Sequence, residues 1–375
     1  MLMFIRRCLA SALILALAAN LLLAQRKKKK KEEPEEITQT LELPKDPPMA
    51  VVGDSQRLGF VTAPMFSKGL LSQQVRESLK ALRSLVRGAQ ILKIRAFVAG
   101  TGDLRRVQAI MSEFFTEARL PIPALTSVQV GALPQEGAQV LLEAITQERK
   151  PVNPNGVAFF SGQQVSRKEP LEQVEPLVKE SIDRLELAAR GVKVDRLEML
   201  RVTCFVSALG DYFAVRRLVA SRFPRAALSI VQTLRGLTPA LVECEAVGRT
   251  SSTPSSPLEF ANPEGLQVSP NYSQVAIVNA PKLIFTGAQL AFNNQESDVR
   301  LALDRLRKVV EQAGGSLRNA VLTNYYPLTP STIERIRQIR FEFLNRERPP
   351  ASTMLLFEGL PSMDASFSVE VIALP

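Results

Sequence analysis

One pattern of secondary-structure signals occurs three times in this chain of 375 residues. Its last copy, residues 266–375, starts with two strand-like segments and continues with an amphipathic helix that Gly314 and Gly315 end. A strand, a second helix and two closing strands follow, which predicts the order ββαβαββ. The apolar residues of the first helix recur at intervals of 4, 3, 4 and 3: Val299, Leu303, Leu306, Val310 and Ala313. Such a unit carries both helices on one face of its sheet and must cover the other face.

Three landmarks indicate that the pattern is a tandem repeat. Matching landmarks are spaced by 102 to 104 residues between the first two copies and by 123 to 125 between the last two. They are the glycine after the first helix (Gly88, Gly191, Gly314), the corner leucine (Leu133, Leu237, Leu360) and the closing-strand glutamate (Glu143, Glu245, Glu370). Independent landmarks that agree this closely are typical of a repeat architecture.

The repeat predicts six segments along the chain. They are a signal peptide or membrane anchor (1–24), a disordered tail rich in Lys, Glu and Pro (25–48), a degenerate first unit (49–147), a second unit (150–249), a Ser- and Pro-rich linker (250–265) and a third unit (266–375). The linker accounts for the longer second spacing of the landmarks.

The first 31 residues carry an export signal and eight positive charges, with no acidic residue among them. Arg6 and Arg7 precede an apolar run from Leu9 to Leu23, which is shorter than a membrane helix of about 20 residues. We therefore expect a cleaved signal peptide and an exported protein, periplasmic or secreted; an uncleaved membrane anchor is the alternative. Lys27–Lys31 resist translocation and are a candidate contact to a membrane surface, although a soluble spacer is favoured.

The composition excludes several functions. Without histidine the chain cannot form a His-based catalytic triad, and its three cysteines are too few for a structural zinc site. We expect neither a metal nor a cofactor. Much of the net charge of +10 lies at the N-terminus, so nucleic acid is not expected as a partner. Cys204 and Cys244 either form a disulfide or remain two buried thiols, and the thiols are favoured.

Six short motifs of the third unit resemble the RidA (YjgF) family. They are Tyr272-Ser273-Gln274, Thr286-Gly287-Ala288-Gln289, Ala313-Gly314-Gly315, Pro350-Ala351, Leu360-Pro361 and the closing Val369–Ala373; the second unit adds Ser161-Gly162-Gln163. The resemblance implies an α+β, chorismate-mutase-like fold that closes into homotrimers. Three such units in one chain predict an intramolecular pseudo-trimer that is a monomer in solution.

The resemblance also implies a ligand site between neighbouring units. In the family, a glutamate near the C-terminus positions the hydrolytic water and an arginine binds the substrate carboxylate. Reactive imines and enamines such as 2-aminoacrylate are thereby hydrolysed to keto acids and ammonia. The candidate catalytic residues are Glu143, Glu245 and Glu370. The candidate substrate-binding residues are Ser161, Gly162, Tyr272, Thr286, Gly287, Arg337, Arg348 and Ser352. The predicted partner is a small molecule in the clefts between units.

The family's arginine is absent from all three units. Its positions hold Leu125, Ser229 (Leu228 if the loop shifts by one residue) and Ser352. An arginine binds a carboxylate through two parallel hydrogen bonds, so its loss points to a changed or absent deaminase activity. We therefore favour a small-molecule-binding or structural module. The alternative is a hydrolase of altered specificity that uses Glu245 or Glu370 with a relocated arginine, for which the candidates are Arg216, Arg225, Arg337 and Arg348.

Overall fold

The computed structural model describes residues 43–100, 104–169, 171–233 and 240–375. The predicted signal peptide or anchor, the Lys27–Lys31 run and the corner leucine Leu237 therefore lie outside the described residues. Within these ranges, no helix combines the length and the apolar character that crossing a bilayer requires.

Amphipathic sequence patterns become helices at the predicted places. The helices are α1 (Leu71–Leu85), α2 (Leu104–Glu117), α3 (Glu175–Gly191), α4 (Tyr212–Arg222), α5 (Glu296–Gln312) and α6 (Pro330–Ile339). The apolar stripe of α1, which includes Val75, Leu79 and Leu82, is buried, because side chains three and four residues apart share one helix face. Pro176 lies in the first turn of α3, where a backbone N–H would have no helical partner.

The strands form three sheets. They are β1 (Ala50–Asp54), β2 (Leu58–Thr62), β3 (Gln90–Ala99), β4 (Ala124–Val130), β5 (Val140–Gln147), β6 (Val157–Arg167), β7 (Met199–Val206), β8 (Ala227–Gln232), β9 (Ala240–Arg249), β10 (Leu258–Ala261), β11 (Val275–Val278), β12 (Lys282–Thr286), β13 (Gln289–Phe292), β14 (Ala320–Pro327), β15 (Ala351–Met354) and β16 (Ala365–Ala373). The first sheet has the order β2-β5-β3-β4, the second β10-β11-β6-β9-β7-β8, and the third β1-β12-β16-β14-β15 with β13 also on β16.

The three sheets share a central arrangement. In each, the strands that follow the two helices are parallel neighbours: β3 and β4, β7 and β8, and β14 and β15. The closing strand, β5, β9 or β16, runs antiparallel to the first strand of each pair. The chain is therefore a mixed α+β protein, as the sequence predicted.

Each sheet buries its two faces against different partners. One face packs on a helix pair, α1 and α2, α3 and α4, or α5 and α6, in three separate apolar clusters. The opposite faces pack on one another. There, Phe97 of β3, Phe205 of β7, Phe357 and Tyr326 of β14 form a row whose neighbouring ring centroids lie 5.0 to 5.8 Å apart. The aromatic rings thus connect all three sheets in one core.

Two strands pair outside the unit to which the sequence assigned them. β1 opens the predicted first unit but pairs with β12 of the third sheet, from Ala50 opposite Thr286 to Asp54 opposite Lys282. β11 opens the predicted third unit but pairs with β6 of the second sheet. The predicted linker 250–265 also contains β10, which pairs with β11. Alternation in a strand sequence indicates which face is buried, not which strand lies beside it, so the sequence missed these pairings.

Cys204 and Cys244 form a disulfide, so the expectation of two separate thiols is wrong. The cysteines lie opposite each other on β7 and β9, with their Cα atoms 4.1 Å apart. Both are fully buried in the apolar cluster between the second sheet and its helices. Their pairing depends on the register of β7 against β9, which the spacing of the cysteines in the sequence does not give.

Candidate functional site

The three predicted glutamates lie where the sheets meet, in a cluster of six buried charges. This charge cluster consists of Lys93, Arg95, Glu143, Arg201, Glu245 and Glu370, each at most 6% exposed. Lys93 Nζ lies 2.6 Å from Glu370 Oε2. Arg95 Nη2 lies 2.6 Å from Glu143 and 2.7 Å from Glu245. Arg201 of β7 also pairs with Glu245, and its Nη2 atom lies 3.1 Å from that carboxylate. Three positive and three negative side chains thus balance one another.

Neutral donors from all three sheets complete the charge cluster. The Thr203 hydroxyl donates to the glutamate of β5 at 2.6 Å, and the Thr126 hydroxyl donates to Glu370. Asn324 and Tyr326 donate to Glu370 Oε1 at 3.0 and 2.9 Å. The cavity beside these groups has a volume of about 20 Å³, which suffices for a single water molecule.

Neighbouring charges keep the buried carboxyls ionised. Burial raises the pKa of Glu370, but the charges of Lys93 and Arg95 outweigh burial and lower that pKa to about 2. Burial also opposes the ionisation of Glu143, and Arg95 holds its pKa below the usual value. These carboxylates therefore bind the cations of the cluster, which is a structural role. The cavity of about 20 Å³ lies beside Glu143 and Glu370, and their catalytic role stays a prediction.

An open cleft lies between the second and third sheets, and we call it the Arg340 cleft. Its volume is about 220 Å³. Four of the predicted binding residues line it: Gly162, Tyr272, Arg337 and Ser352. The sequence analysis missed two further residues of its wall, Glu243 and Arg340. The cleft therefore brings together residues of both sheets and of the segment that follows α6.

Arg340 is the buried cation of this cleft. It is 1% exposed, and its Nε and Nη2 atoms have no partner at hydrogen-bond distance and angle among the described residues, although the neighbouring Tyr325 phenol interacts with the guanidinium. Its guanidinium lies 5.9 and 5.1 Å from the ring centroids of Tyr325 and Phe341. Burial lowers the pKa of Arg340, but an arginine has so high an ordinary pKa that it stays charged at neutral pH. Two free donors on a buried cation make a binding position for an anion.

Glu243 faces the same cleft as a neutral carboxylic acid. It is 4% exposed and accepts a hydrogen bond of 3.0 Å from Gln164. Burial and then the charge of Glu245 raise the pKa of Glu243 to about 8, so this carboxyl keeps its proton at neutral pH. Tyr272 lines the cleft with both groups. Burial and Glu243 raise the pKa of its phenol, and Arg340 partly offsets this rise. The cleft thus combines one cation with neutral hydrogen-bonding groups.

Two predicted binding residues connect strands instead of lining the cleft. The Ser161 hydroxyl donates to Ser273 O at 2.6 Å and accepts the Ser352 N–H at 2.8 Å. Thr286 is fully buried, and its hydroxyl accepts the Val371 N–H at 2.9 Å. Both hydroxyls are occupied by backbone partners, so they position strands.

The first and third sheets come into backbone contact at the arginine position of the first unit. Ala288 donates its N–H to Leu125 O at 3.3 Å. Gly287 donates its N–H to Met49 O at 2.8 Å within the third sheet. Arg348, another candidate for the relocated cation, lies elsewhere and donates to a carbonyl of β10 at 2.7 Å. Neither Gly287 nor Arg348 therefore joins the Arg340 cleft.

A larger groove lies between the first and second sheets, and we call it the Ser229 groove. Its volume is about 900 Å³. Ser229 stands at an arginine position, and its hydroxyl lies 3.2 Å from that of Thr62. Arg216 and Arg225 are the charged side chains among its described lining residues, most of which are apolar. Arg225 also pairs with Glu198 at 3.3 Å.

The sequence contained signals for the two missed residues. Thr332 and Ile336 are fully buried on α6, and Arg340 continues their spacing of four, which places it on the buried stripe. Glu243 precedes Glu245 by two residues and therefore lies on the same face of β9. An ionisable residue at a position that the pattern predicts to be buried is a candidate for a functional site.

Comparisons with known proteins also point to the family that the motifs resemble. A relative, the 2-iminobutanoate/2-iminopropanoate deaminase of Salmonella typhimurium, is 33% identical over 84 residues, which are 21% of this chain. The chain spans 65% of the length of that relative. No family model matches the chain. The sequence relationship agrees with the family prediction: part of this chain is similar to a curated member of the RidA (YjgF) family.

Solved structures of the family also align with about a third of the chain. The Rid family protein YyfB of Yersinia pestis is 17% identical, with a TM-score of 0.29, and covers 32% of this chain and 100% of its own. Rv2704 of Mycobacterium tuberculosis is 16% identical, with a TM-score of 0.23, and covers 32% of this chain and 99% of its own.

The Lys93–Glu370 pair generates a first prediction. Lys93→Met leaves the Glu370 carboxylate buried without its adjacent cation, so the free energy of unfolding should fall by roughly 3–5 kcal/mol. The double variant Lys93→Met/Glu370→Gln removes both charges and should recover a large part of this loss. Urea unfolding of the two variants beside the wild type measures the difference. A double variant no more stable than Lys93→Met would contradict the pairing.

Glu243 generates a second prediction, on pH. Its pKa of about 8 in the folded protein lies above the ordinary glutamate value of 4.5. The folded state therefore holds a proton that the unfolded state has lost, and this stabilisation is fully present below pH 4.5 and disappears as the pH rises through 8. Glu243→Gln cannot ionise, so above pH 8 it should exceed the wild type in stability by more than about 1.4 kcal/mol, the equivalent of one pKa unit.

Unfolding free energies at pH 5 and pH 8.5 measure this effect, since all other titrating groups are common to both proteins. Glu259→Gln is a matched control, because Glu259 of β10 is partly exposed and its carboxylate accepts a hydrogen bond from Ser255 at the surface. A Glu243→Gln variant that follows the wild type at both pH values would refute the neutral carboxylic acid.

Proposed function

We propose that this protein is a small-molecule-binding module that holds a carboxylate ligand in the Arg340 cleft, within an intramolecular pseudo-trimer of three RidA-like units. The observation that carries the proposal is the guanidinium of Arg340, which is buried beside an open cleft with two nitrogen atoms unpaired.

Energetics favours a ligand at this guanidinium. A buried charged group without hydrogen-bond partners destabilises a protein by about 1–3 kcal/mol or more. A carboxylate removes that penalty by accepting two parallel N–H bonds from Nε and Nη2. The family's arginine position in this cleft holds Ser352, whose Oγ has no partner among the described residues. Arg340 supplies the missing cation from the end of α6, and Ser352 supplies an additional hydroxyl.

The arrangement of the sheets supports the pseudo-trimer. The glutamates Glu143, Glu245 and Glu370 hold the same place in three sheets, opposite Arg95 of β3, Thr203 of β7 and Asn324 of β14. The faces that a separate unit would expose are covered by the neighbouring sheets. Three units of one chain close such a ring without assembly. In this proposal β1 and β11 are exchanged between units.

A hydrolase is the second candidate function, and Glu243 favours it. A general acid or base acts best when its pKa lies near the working pH, and the pKa of Glu243 is about 8. The related Salmonella protein is a 2-iminobutanoate/2-iminopropanoate deaminase. In this candidate function Glu243 transfers protons at a bound imine and Arg340 holds its carboxylate. Glu245 and Glu370 take no part, because the charge cluster engages them.

We also propose that the protein is exported. The buried Cys204–Cys244 disulfide supports this, because disulfides persist in oxidising compartments and are rare in the reducing cytosol. The signal peptide or anchor and the contact of Lys27–Lys31 with a membrane surface remain predictions from the sequence.

The carboxylate site is tested by titrating the protein with pyruvate, acetate and 2-ketobutyrate in a calorimeter. Arg340→Met should weaken the binding of the best ligand at least about tenfold, since bonds to charged groups contribute about 1.5–3 kcal/mol each. The ligand-free variant should at the same time unfold at higher urea concentration, because it lacks the unpaired charge. Arg307→Met is the matched control: this arginine of α5 is partly exposed, pairs with Asp304 and Glu311 and is not among the lining residues of the cleft, so affinity should stay within about threefold.

Equal affinities of Arg340→Met and the wild type would remove Arg340 from the site, and no binding of any of the three acids would refute the carboxylate proposal. The hydrolase candidate is separated from simple binding by turnover of 2-aminoacrylate. Turnover that Glu243→Gln abolishes while pyruvate still binds would establish the enzyme.

The pseudo-trimer predicts that one chain covers its own sheet faces. Light scattering should therefore give a single-chain mass, at most 41.3 kDa, from low to high micromolar concentration. A stable assembly of three chains would contradict the proposal, because the interfaces of the ring would then not be satisfied within one chain.

A further inference from the structure

The outer edge of β2 carries backbone groups without a strand beside them. β2 is an edge strand of the first sheet and pairs only with β5 among the described strands. Arg57 and Ala63 direct their backbone groups to β5, through bonds of 2.7 and 2.9 Å. Backbone groups alternate along an antiparallel strand. Phe60 and Thr62 therefore direct theirs outward, away from the sheet.

Matching positions of the other two sheets show what this edge lacks. Phe60, Phe159 and Phe285 occupy the same position, because they pair with Ile145, Val247 and Ile372, each two residues after a cluster glutamate. Phe159 and Phe285 are fully buried beside β11 and β1, respectively, whereas Phe60 is only partly buried. The first sheet thus lacks the outer strand that the other two sheets have.

The hydrogen bonds two residues further along repeat this difference. The Ser161 N–H donates to Gln274 O at 3.0 Å, just before β11. The Gly287 N–H donates to Met49 O at 2.8 Å, just before β1. Thr62 is the matching residue of the first sheet, and no strand of the described residues accepts its N–H. Its position is therefore that of a donor for an added strand.

The described part of the chain does not supply that strand. The connection from β5 to β6 is held in place, because the N–H groups of Val152 and Asn153 both donate to Gln56 O at 2.8 Å. The described chain begins at the opposite edge, where Asp46 accepts a hydrogen bond from Gln108 of α2. That helix packs on β4, three strand spacings or about 14 Å from β2.

The Ser229 groove lies along this edge and gives it specificity. Residues of β2 and of β8, which is the edge strand of the second sheet, form its walls. The walls are largely apolar, and the charged residues among the described lining are the two arginines Arg216 and Arg225, without an acidic residue. Arg225 pairs with Glu198 at 3.3 Å, so an occupant that complements this surface has apolar side chains on one face and an acidic residue at Arg216.

We propose that the edge of β2 and the Ser229 groove bind an extended peptide segment of a partner protein by strand addition. The segment adds four or five residues, as β11 and β1 do at the other two edges. Backbone hydrogen bonds to Phe60 and Thr62 supply the affinity, and the groove selects the side chains. This site is separate from the Arg340 cleft and does not depend on the ligand there.

A peptide copied from the chain itself tests the proposal. The probe is a fluorescein-labelled synthetic peptide with the sequence of residues 273–280 followed by a glutamate, titrated against the full chain by fluorescence anisotropy. The matched control peptide carries proline in place of Ala276. In the chain, Ala276 of β11 pairs with Phe159 of β6, and proline at this position has no N–H for the pairing. We expect saturable binding of the probe, at least tenfold weaker binding of the control, and slower hydrogen exchange at the Phe60 and Thr62 amides.

Protein variants locate the bound peptide. Thr62→Pro removes the outward N–H but leaves the bonds of β2 to β5, since an edge strand tolerates proline where its N–H faces away from the sheet. Thr62→Val keeps the N–H and loses only the hydroxyl. Binding should weaken at least tenfold in Thr62→Pro and stay within threefold in Thr62→Val. Arg340→Met should leave it unchanged.

Several results would overturn the proposal. One is probe binding that Thr62→Pro does not alter, which would place the peptide elsewhere. Another is protection of the Phe60 and Thr62 amides in the free full-length chain. If that protection does not vary with concentration, residues 1–42 fill the edge, and if it grows with concentration, a second copy does. Should Thr62→Pro fail to fold, the control peptide and the exchange measurement on the wild type decide alone.

Discussion

Six buried charges at the meeting point of three sheets are the constraint on which the rest of the structure depends. Ions removed from water need partners of opposite charge at hydrogen-bond distance, and losing one partner is more harmful than never having buried the pair. Lys93 reaches Glu370, and Arg95 holds both Glu143 and Glu245. The contacts Lys93–Glu370 and Arg95–Glu245 cross from one sheet to another. They therefore fix how the sheets sit together, and the apolar and aromatic side chains around them add hydrophobic stabilisation.

A single chain permits a cluster that identical subunits could not build. Opposite the three glutamates stand Arg95, Thr203 and Asn324, three different residues at one position of the repeated sheet. Identical subunits around a threefold axis would carry the same residue three times. Three arginines or three asparagines there would not produce the present pairing of charges. In the proposed pseudo-trimer, the covalent linkage of the units lets each one contribute a different partner.

The same asymmetry gives the three contacts between sheets different properties. At the first, Ala288 donates its backbone N–H to Leu125 O. The second is the small, polar Arg340 cleft, and the third is the wider, mostly apolar Ser229 groove. The charge cluster engages the family-type glutamates, whereas Arg340 and Glu243 are buried ionisable groups on the wall of the Arg340 cleft. A buried guanidinium without partners lowers stability, so its presence is more easily explained by a ligand than by the fold.

The sequence by itself determined the local structure and the family. Spacings of three and four residues predicted the helices, alternation predicted the strands, and short motifs such as Tyr272-Ser273-Gln274 predicted a RidA relative with an α+β fold. The resemblance to the family also predicted four of the residues that line the Arg340 cleft. Periodicity could do this because it reflects which face of an element is buried, and that is a local property of the chain.

Tertiary structure alone decided which elements became neighbours. The pairing of β1 with β12 and of β11 with β6, the Cys204–Cys244 bond and the partners of each glutamate all join residues far apart in the sequence. A sequence pattern that predicts a strand does not say which strand pairs with it, and a charged residue does not say which opposite charge it contacts. Several partners in the chain are compatible with each. Only the packing of the whole chain removes that ambiguity, and it did so by burying the six charges together and leaving Arg340 unpaired beside an open cleft.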